Sequence, residues 1–148
     1  MVTGYTYVEC GQSLTIEPGV EVRFYASCGL NVWGGITAVG AVNDTIVFRY
    51  VEAVPDSVPA GPSWNGIYAS PCGGSSAVFD YCRIERASTG LGLSPSSGAS
   101  ARVTNSLVRL CSSRGILVST YDAGSSVEVS GCRIDRNGQN HYWDECGL

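Results

Sequence analysis

Apolar and polar residues alternate along this chain in short runs, and nearly every run ends at Gly, Pro, Asn or Ser. Leu14-Thr15-Ile16 is followed by Pro18-Gly19, then by Val20-Glu21-Val22-Arg23-Phe24. Leu30-Asn31-Val32 leads through Gly34-Gly35 into Ile36-Thr37-Ala38-Val39, and another run covers Thr45 to Val51. A period of two predicts strands with one face buried, and the punctuation predicts tight turns between them. The first half also echoes itself sixteen residues on, with Leu14–Ile16 matched to Leu30–Val32.

The second half carries a clearer repeat. The segments Ala77–Arg86, Ala101–Leu110 and Ser126–Arg136 align on Cys82, Ser106 and Cys132. Phe79, Val103 and Val129 then coincide, as do Ile84, Val108 and Ile134. Short apolar strands follow the first two copies at Gly90–Leu93 and Gly115–Val118, with an earlier match at Gly66–Tyr68. A unit this short cannot bury its own apolar face, so stacked copies must build one continuous core. A β-sandwich also alternates strands and turns, but it does not require the same residue types to return in register. The expected fold is all-β: a single right-handed parallel β-helix of about six or seven rungs. It would fill residues 1–148 as one domain. Residues 1–13 would form an N-terminal edge strand or cap, 55–62 an inserted loop with Pro55, Pro59 and Pro62, and 139–148 a C-terminal cap.

The run Gly11–Phe24 resembles the opening rung of bacterial extracellular β-helix proteins of the pectin-lyase-like superfamily. Gly29–Val32, Gly34–Gly40, Asp44–Phe48 and Trp64–Tyr68 follow in the same order. The resemblance covers about residues 8 to 138 and implies a secreted or cell-surface location. It implies the fold and not an activity, because this superfamily holds lyases, hydrolases, adhesins and tail spikes alike.

Composition narrows the function. Only 15% of the 148 residues are charged, and the formal net charge is -4. All nine basic residues are arginine. No basic footprint for nucleic acid is present, and no apolar run reaches the roughly 18 residues of a membrane helix. Without lysine, phosphate loops and lysine-based catalysis are excluded. The lone histidine lies in His141–Cys146 with Asp144 and Glu145, at spacings that match no metal site, so no metal and no cofactor are expected.

Seven cysteines leave at least one free thiol. Cys82 and Cys132 fall two rungs apart, roughly 9.6 Å at strand spacing, beyond the reach of a disulfide. They are expected as free core thiols. Cys10 with Cys28, and Cys111 with Cys146, are the candidate disulfides.

The same register makes a charge ladder of Glu85, Arg109 and Asp135 on successive rungs, flanked by Arg83 and Arg133. It reads as a weak ligand-binding groove for a glycan, or as a solvated face whose charges pair along the stack. Glu85 and Asp135 have a separation suited to inverting glycoside hydrolysis, yet Arg109 between them would lower both pKa values and spoil a general acid. Exposed aromatics offer a second surface. Tyr5, Tyr7, Tyr25, Tyr50, Tyr68, Tyr81, Trp33 and Trp64 all sit near strands or turns, where a strip of rings would stack on sugars or on a protein. Two functions follow. One is a non-enzymatic extracellular structural, adhesive or self-assembling module that associates through its solenoid ends. The alternative is a small polysaccharide-binding or polysaccharide-degrading β-helix. The partners are a second copy or a glycan, with no nucleic acid and no membrane span.

Overall fold

The computed structural model describes residues 1–52, 63–119 and 122–143. The expected loop at 55–62 lies outside them. Sixteen strands follow one another: β1 Thr6–Val8, β2 Ser13–Ile16, β3 Glu21–Phe24, β4 Gly29–Val32, β5 Gly35–Val39, β6 Ile46–Tyr50, β7 Gly66–Ala69 and β8 Ser76–Asp80. Then come β9 Cys82–Glu85, β10 Thr89–Leu93, β11 Ser100–Thr104, β12 Leu107–Arg109, β13 Arg114–Val118, β14 Ser126–Ser130, β15 Arg133–Asp135 and β16 Gln139–Trp143. Among the described residues there is no helix, and so none long and apolar enough to cross a membrane.

Successive strands belong to successive sheets. The first sheet runs β1-β4-β7-β10-β13-β16, the second β2-β5-β8-β11-β14 and the third β3-β6-β9-β12-β15, and all neighbours are parallel. The chain is therefore a parallel β-solenoid of about five turns, close to the six or seven rungs that the repeats suggest.

Pairing in the second half follows the repeat register. Val103 lies between Phe79 and Val129, and Val108 between Ile84 and Ile134. The first half does not follow the sixteen-residue echo. Leu14 pairs with Ile36, while Leu30 pairs with Thr6 and Ile67. The echo compared β2 with β4, which lie in different sheets of one turn. Short alternating strands look alike whichever sheet they join, and only the next full turn fixes the partner.

In the second half, each corner between the second and third sheets turns on one left-handed residue. Tyr81, Asn105 and Gly131 occupy it with φ of 46°, 48° and 63°. The next corner repeats the device at Arg86, Leu110 and Arg136, with φ of 58°, 57° and 56°. Left-handed backbone at Tyr, Leu or Arg costs on the order of 1 kcal/mol each, which the stacked turns must offset. Gly131 has a second reason to lack a side chain: a Cβ there would stand 2.8 Å from the Asn105 amide oxygen. Asn105 in turn reaches the preceding turn, donating to the Asp80 carboxylate at 3.0 Å beside Thr104 Oγ1 at 2.7 Å.

The core is a column of inward side chains. Trp64 is wholly buried, its ring stacked on Phe24 at 4.1 Å and 7°, and its indole N–H donates to the Glu85 carbonyl at 2.9 Å. Phe48 meets Phe79 edge to face. Val2 bridges to Phe24, and β1 pairs with β4 at the N-terminal end. At the other end Gln139–Trp143 forms β16, paired with β13, and the rest of the expected cap at 139–148 lies outside the described residues.

The disulfide pairing differs from expectation. Cys10 bonds to Cys72, with Cα atoms 6.2 Å apart, and Cys28 is a free buried thiol facing the core. Cys10 lies in the turn from β1 to β2 and Cys72 in the turn from β7 to β8, two turns of the solenoid apart. Strand spacing separates two-rung neighbours by about 9.6 Å only where the backbone stays in the ladder. Between these turns lies Gly34, whose missing side chain lets the Glu9 and Gln12 carbonyls close in. Cys111 carries a free buried thiol, and its expected partner Cys146 lies outside the described residues. Cys82 is free and buried, and Cys132 is free and half-buried.

Candidate functional site

The outward face of the third sheet carries charge in two columns. Glu21, Val47, Arg83, Leu107 and Arg133 form one. In the other, Arg23 stands beside Arg49, and Glu85, Arg109 and Asp135 pair in turn. The ladder Glu85–Arg109–Asp135 is thus one part of an array with five arginines and three carboxylates.

Glu85 is the best-buried charge on it, with its side chain 12% exposed. Arg109 donates from Nε and approaches with Nη2, both 2.7 Å from Glu85 Oε1, while Arg83 stands 3.4 Å away. Arg133 pairs with Asp135 at 2.6 Å. At the N-terminal end, Glu21 accepts from Arg23 at 2.8 Å and from Arg49. These two guanidiniums, Arg23 first, hold the Glu21 carboxyl down to about 2. Alignment of β3 on β6 would have revealed this second cluster; the sixteen-residue echo concealed it. Every carboxylate of the array is held by guanidinium groups of its own sheet. The array engages all of its carboxylates and keeps a surplus of guanidinium charge.

The thiols offer little chemistry. Desolvation pushes Cys82 up to about 12 and Cys111 up to about 11, and it raises Cys132 as well. Such thiols are poor nucleophiles and serve as small apolar side chains. Among the described residues, no group of three or more His, Cys, Asp or Glu could hold a metal ion.

The aromatic residues divide in a way the sequence did not reveal. Trp64 is core, and Tyr50 packs against the core on the third sheet. Tyr81 occupies a corner. Tyr25 follows the end of β3. Four rings gather instead at the N-terminal part of the first sheet. Tyr5, Tyr7, Trp33 and Tyr68 are 50%, 49%, 41% and 37% exposed. Tyr5 and Tyr7 stack with centroids 6.3 Å apart, and Tyr7 meets Trp33 at 5.4 Å. Asn31 lies between Tyr7 and Tyr68 in the ladder.

The backbone prepares this face. The Tyr68 ring lies over Gly92, where a Cβ would come within 2.8 Å of it. The Tyr5 ring lies beside Gly29 at ordinary contact distance, and its hydroxyl accepts from the Asn65 amide. Trp33 is fixed at both backbone groups: its N–H donates to Val8 at 2.8 Å, and its carbonyl accepts from Cys72 at 2.9 Å. Since Cys72 is bonded to Cys10, the disulfide braces the turn that carries Trp33.

Comparison with known proteins finds no family profile, no curated protein and no solved structure that matches the chain.

Proposed function

We propose that this chain is a non-catalytic, extracellular adhesive module that holds glycan chains against the aromatic face of its first sheet. The observation that carries the reading is the grouping of Tyr5, Tyr7, Trp33 and Tyr68, all exposed, on one rigid surface. Sugar rings present C–H faces that stack on aromatic rings, and Asn31 and Asn65 supply amides at the same level for hydroxyl groups. A surface built on strands loses little freedom on binding, because its rings are already placed. The Cys10–Cys72 disulfide suits an oxidising location outside the cell. On this reading the coil is right-handed, as its resemblance to pectin-lyase-like proteins implies, and the charge array of the third sheet serves the stack.

Affinity electrophoresis through gels containing neutral or acidic polysaccharides tests it. At least one polysaccharide should retard the protein. Trp33→Ala or Tyr7→Ala should each weaken retention about three- to tenfold, the loss expected when a single stacked ring is removed. Mobility unchanged in every polysaccharide would remove the proposal. Release of unsaturated or reducing sugar would show an enzyme instead.

A further inference from the structure

On the first sheet Val8, Leu30, Val32, Ile67 and Ala69 belong to the core, and the residues between them face outward. The register puts Tyr7, Asn31 and Tyr68 in one outward column on β1, β4 and β7. Strand spacing sets Tyr7 and Tyr68 two steps apart, roughly 9.6 Å along the stack, with the half-buried Asn31 midway. Gly92 comes next in the column, and the Tyr68 ring takes the space that a side chain there would need. Trp33 leaves the end of β4 and flanks Tyr7 at 5.4 Å.

The column is uncharged. β1, β4 and β7 read Thr-Tyr-Val, Gly-Leu-Asn-Val and Gly-Ile-Tyr-Ala, without an acid or a base. The first arginine along this sheet is Arg114 on β13, two strands beyond β7. The charge nearest in the chain is Glu9, exposed and directly after β1. A sugar acid would find no guanidinium on these three strands and would meet Glu9 as a like charge.

Resting on the glycan-holding function above, we propose that this face selects a neutral, β-1,4-linked polysaccharide of the flat-ribbon kind. The chain lies along the solenoid axis, across the strands, with alternate sugars stacked on Tyr7 and Tyr68 and the sugar between them hydrogen-bonded to the Asn31 amide. A β-1,4-linked hexopyranose chain with equatorial linkages is a straight ribbon whose sugars alternate in orientation, so its surface repeats at every second sugar. That repeat is close to two strand spacings. Each tyrosine therefore meets the same face of a sugar ring. The amide of Asn31 both donates and accepts, which suits the hydroxyl groups of the sugar in between. An α-1,4-linked chain coils instead and lifts away from a straight ladder after one contact. Rings fixed on rigid strands cannot follow it, so the preorganisation that favours the ribbon works against the coil.

Titration calorimetry on the whole chain tests it, with cellobiose, cellotriose and cellohexaose as ligands and maltohexaose and hexagalacturonate as comparisons. Cellohexaose should bind at least about tenfold tighter than either comparison. Cellotriose should bind about three- to tenfold tighter than cellobiose, because it is the shortest chain to reach both rings. Tyr68→Ala should shrink that step below about twofold. Gly92→Ala leaves the tyrosine in place but brings a Cβ within 2.8 Å of its ring, and it should weaken cellohexaose by tipping the ring off the column. Thermal melts confirm that each variant is folded. Equal or tighter binding of the α-linked or the acidic hexasaccharide overturns the proposal and leaves a surface that holds glycans of another class. A missing step between two and three sugars, or a step that survives Tyr68→Ala, overturns the proposed lie of the chain. Failure of every oligosaccharide and polysaccharide to bind removes the glycan-holding function itself, and this inference with it.

Discussion

The salt bridge between Glu85 and Arg109 decides whether the charge array holds the stack together. Glu85 lies on β9 with its side chain 12% exposed, and Arg109 on β12 with 23% exposed. Their atoms meet at 2.7 Å through two guanidinium nitrogens. An exposed ion pair contributes about 0–1 kcal/mol, and truncating one partner of a fully buried pair costs about 3–5 kcal/mol. The geometry sits between these limits. A double-mutant cycle of Glu85→Gln and Arg109→Met should therefore give a coupling of about 1–2 kcal/mol. The control is Glu21 with Arg49 on the first two turns, where Glu21 is 33% exposed and already shared with Arg23. That coupling should stay below about 1 kcal/mol and shrink further in high salt. Urea unfolding at pH 7, followed by circular dichroism, measures both. Equal couplings at the two sites, or a Glu85–Arg109 coupling abolished by salt, would refute the claim that partial burial sets the strength. The pairs would then be solvated surface charges alone.

Trp64→Ala should cost about 3–5 kcal/mol, the range for emptying a large aromatic site, while Trp64→Phe should cost about 1–3 kcal/mol because the Glu85 carbonyl loses its donor; thermal melts of the two variants check this. The Glu21 carboxyl is held near 2 against an ordinary 4.5, so its contribution is present above pH 4.5 and is lost as the pH falls through that window. Glu21→Gln should flatten the stability curve between pH 4.5 and 2 by on the order of 1 kcal/mol, after allowance for solvent screening. The folded protein at pH 8 should leave Cys28, Cys82 and Cys111 unmodified by iodoacetamide, with Cys132 reacting slowly and all four reacting in denaturant. Because burial raises Cys82 and Cys111, their contribution to stability is present below pH 9 and falls as pH climbs toward 11 or 12.

The sequence revealed the second half of the stack more fully than the first, and the reason is physical. From Ser76 to Asp135 the turns repeat with short corners of matching length between the second and third sheets, so a single alignment on Cys82, Ser106 and Cys132 places β8, β9 and their successors in register. Between Ile46 and Gly66 the interval is stretched by the segment rich in proline, and the period is lost there. The eye then pairs β2 with β4, because both read as aliphatic-polar-aliphatic. The same loss hid the Glu21 cluster, which needs β3 beside β6 to be seen. Corners were illegible for another reason: left-handed φ normally announces itself through Gly or Asn, and here Tyr81, Arg86, Leu110 and Arg136 adopt it under constraint from the turns above and below. The disulfide failed for a third. Rung spacing governs residues in the ladder, while Cys10 and Cys72 stand in turns where Gly34 lets the chain draw close. The aromatic face combines the lost period with placement in a turn. Tyr5 and Tyr7 precede the first recognisable repeat, Trp33 sits in a turn, and Tyr68 follows the irregular interval. Their meeting on one sheet depends on β1, β4 and β7 being neighbours, which is a property of the winding and of no local stretch of sequence.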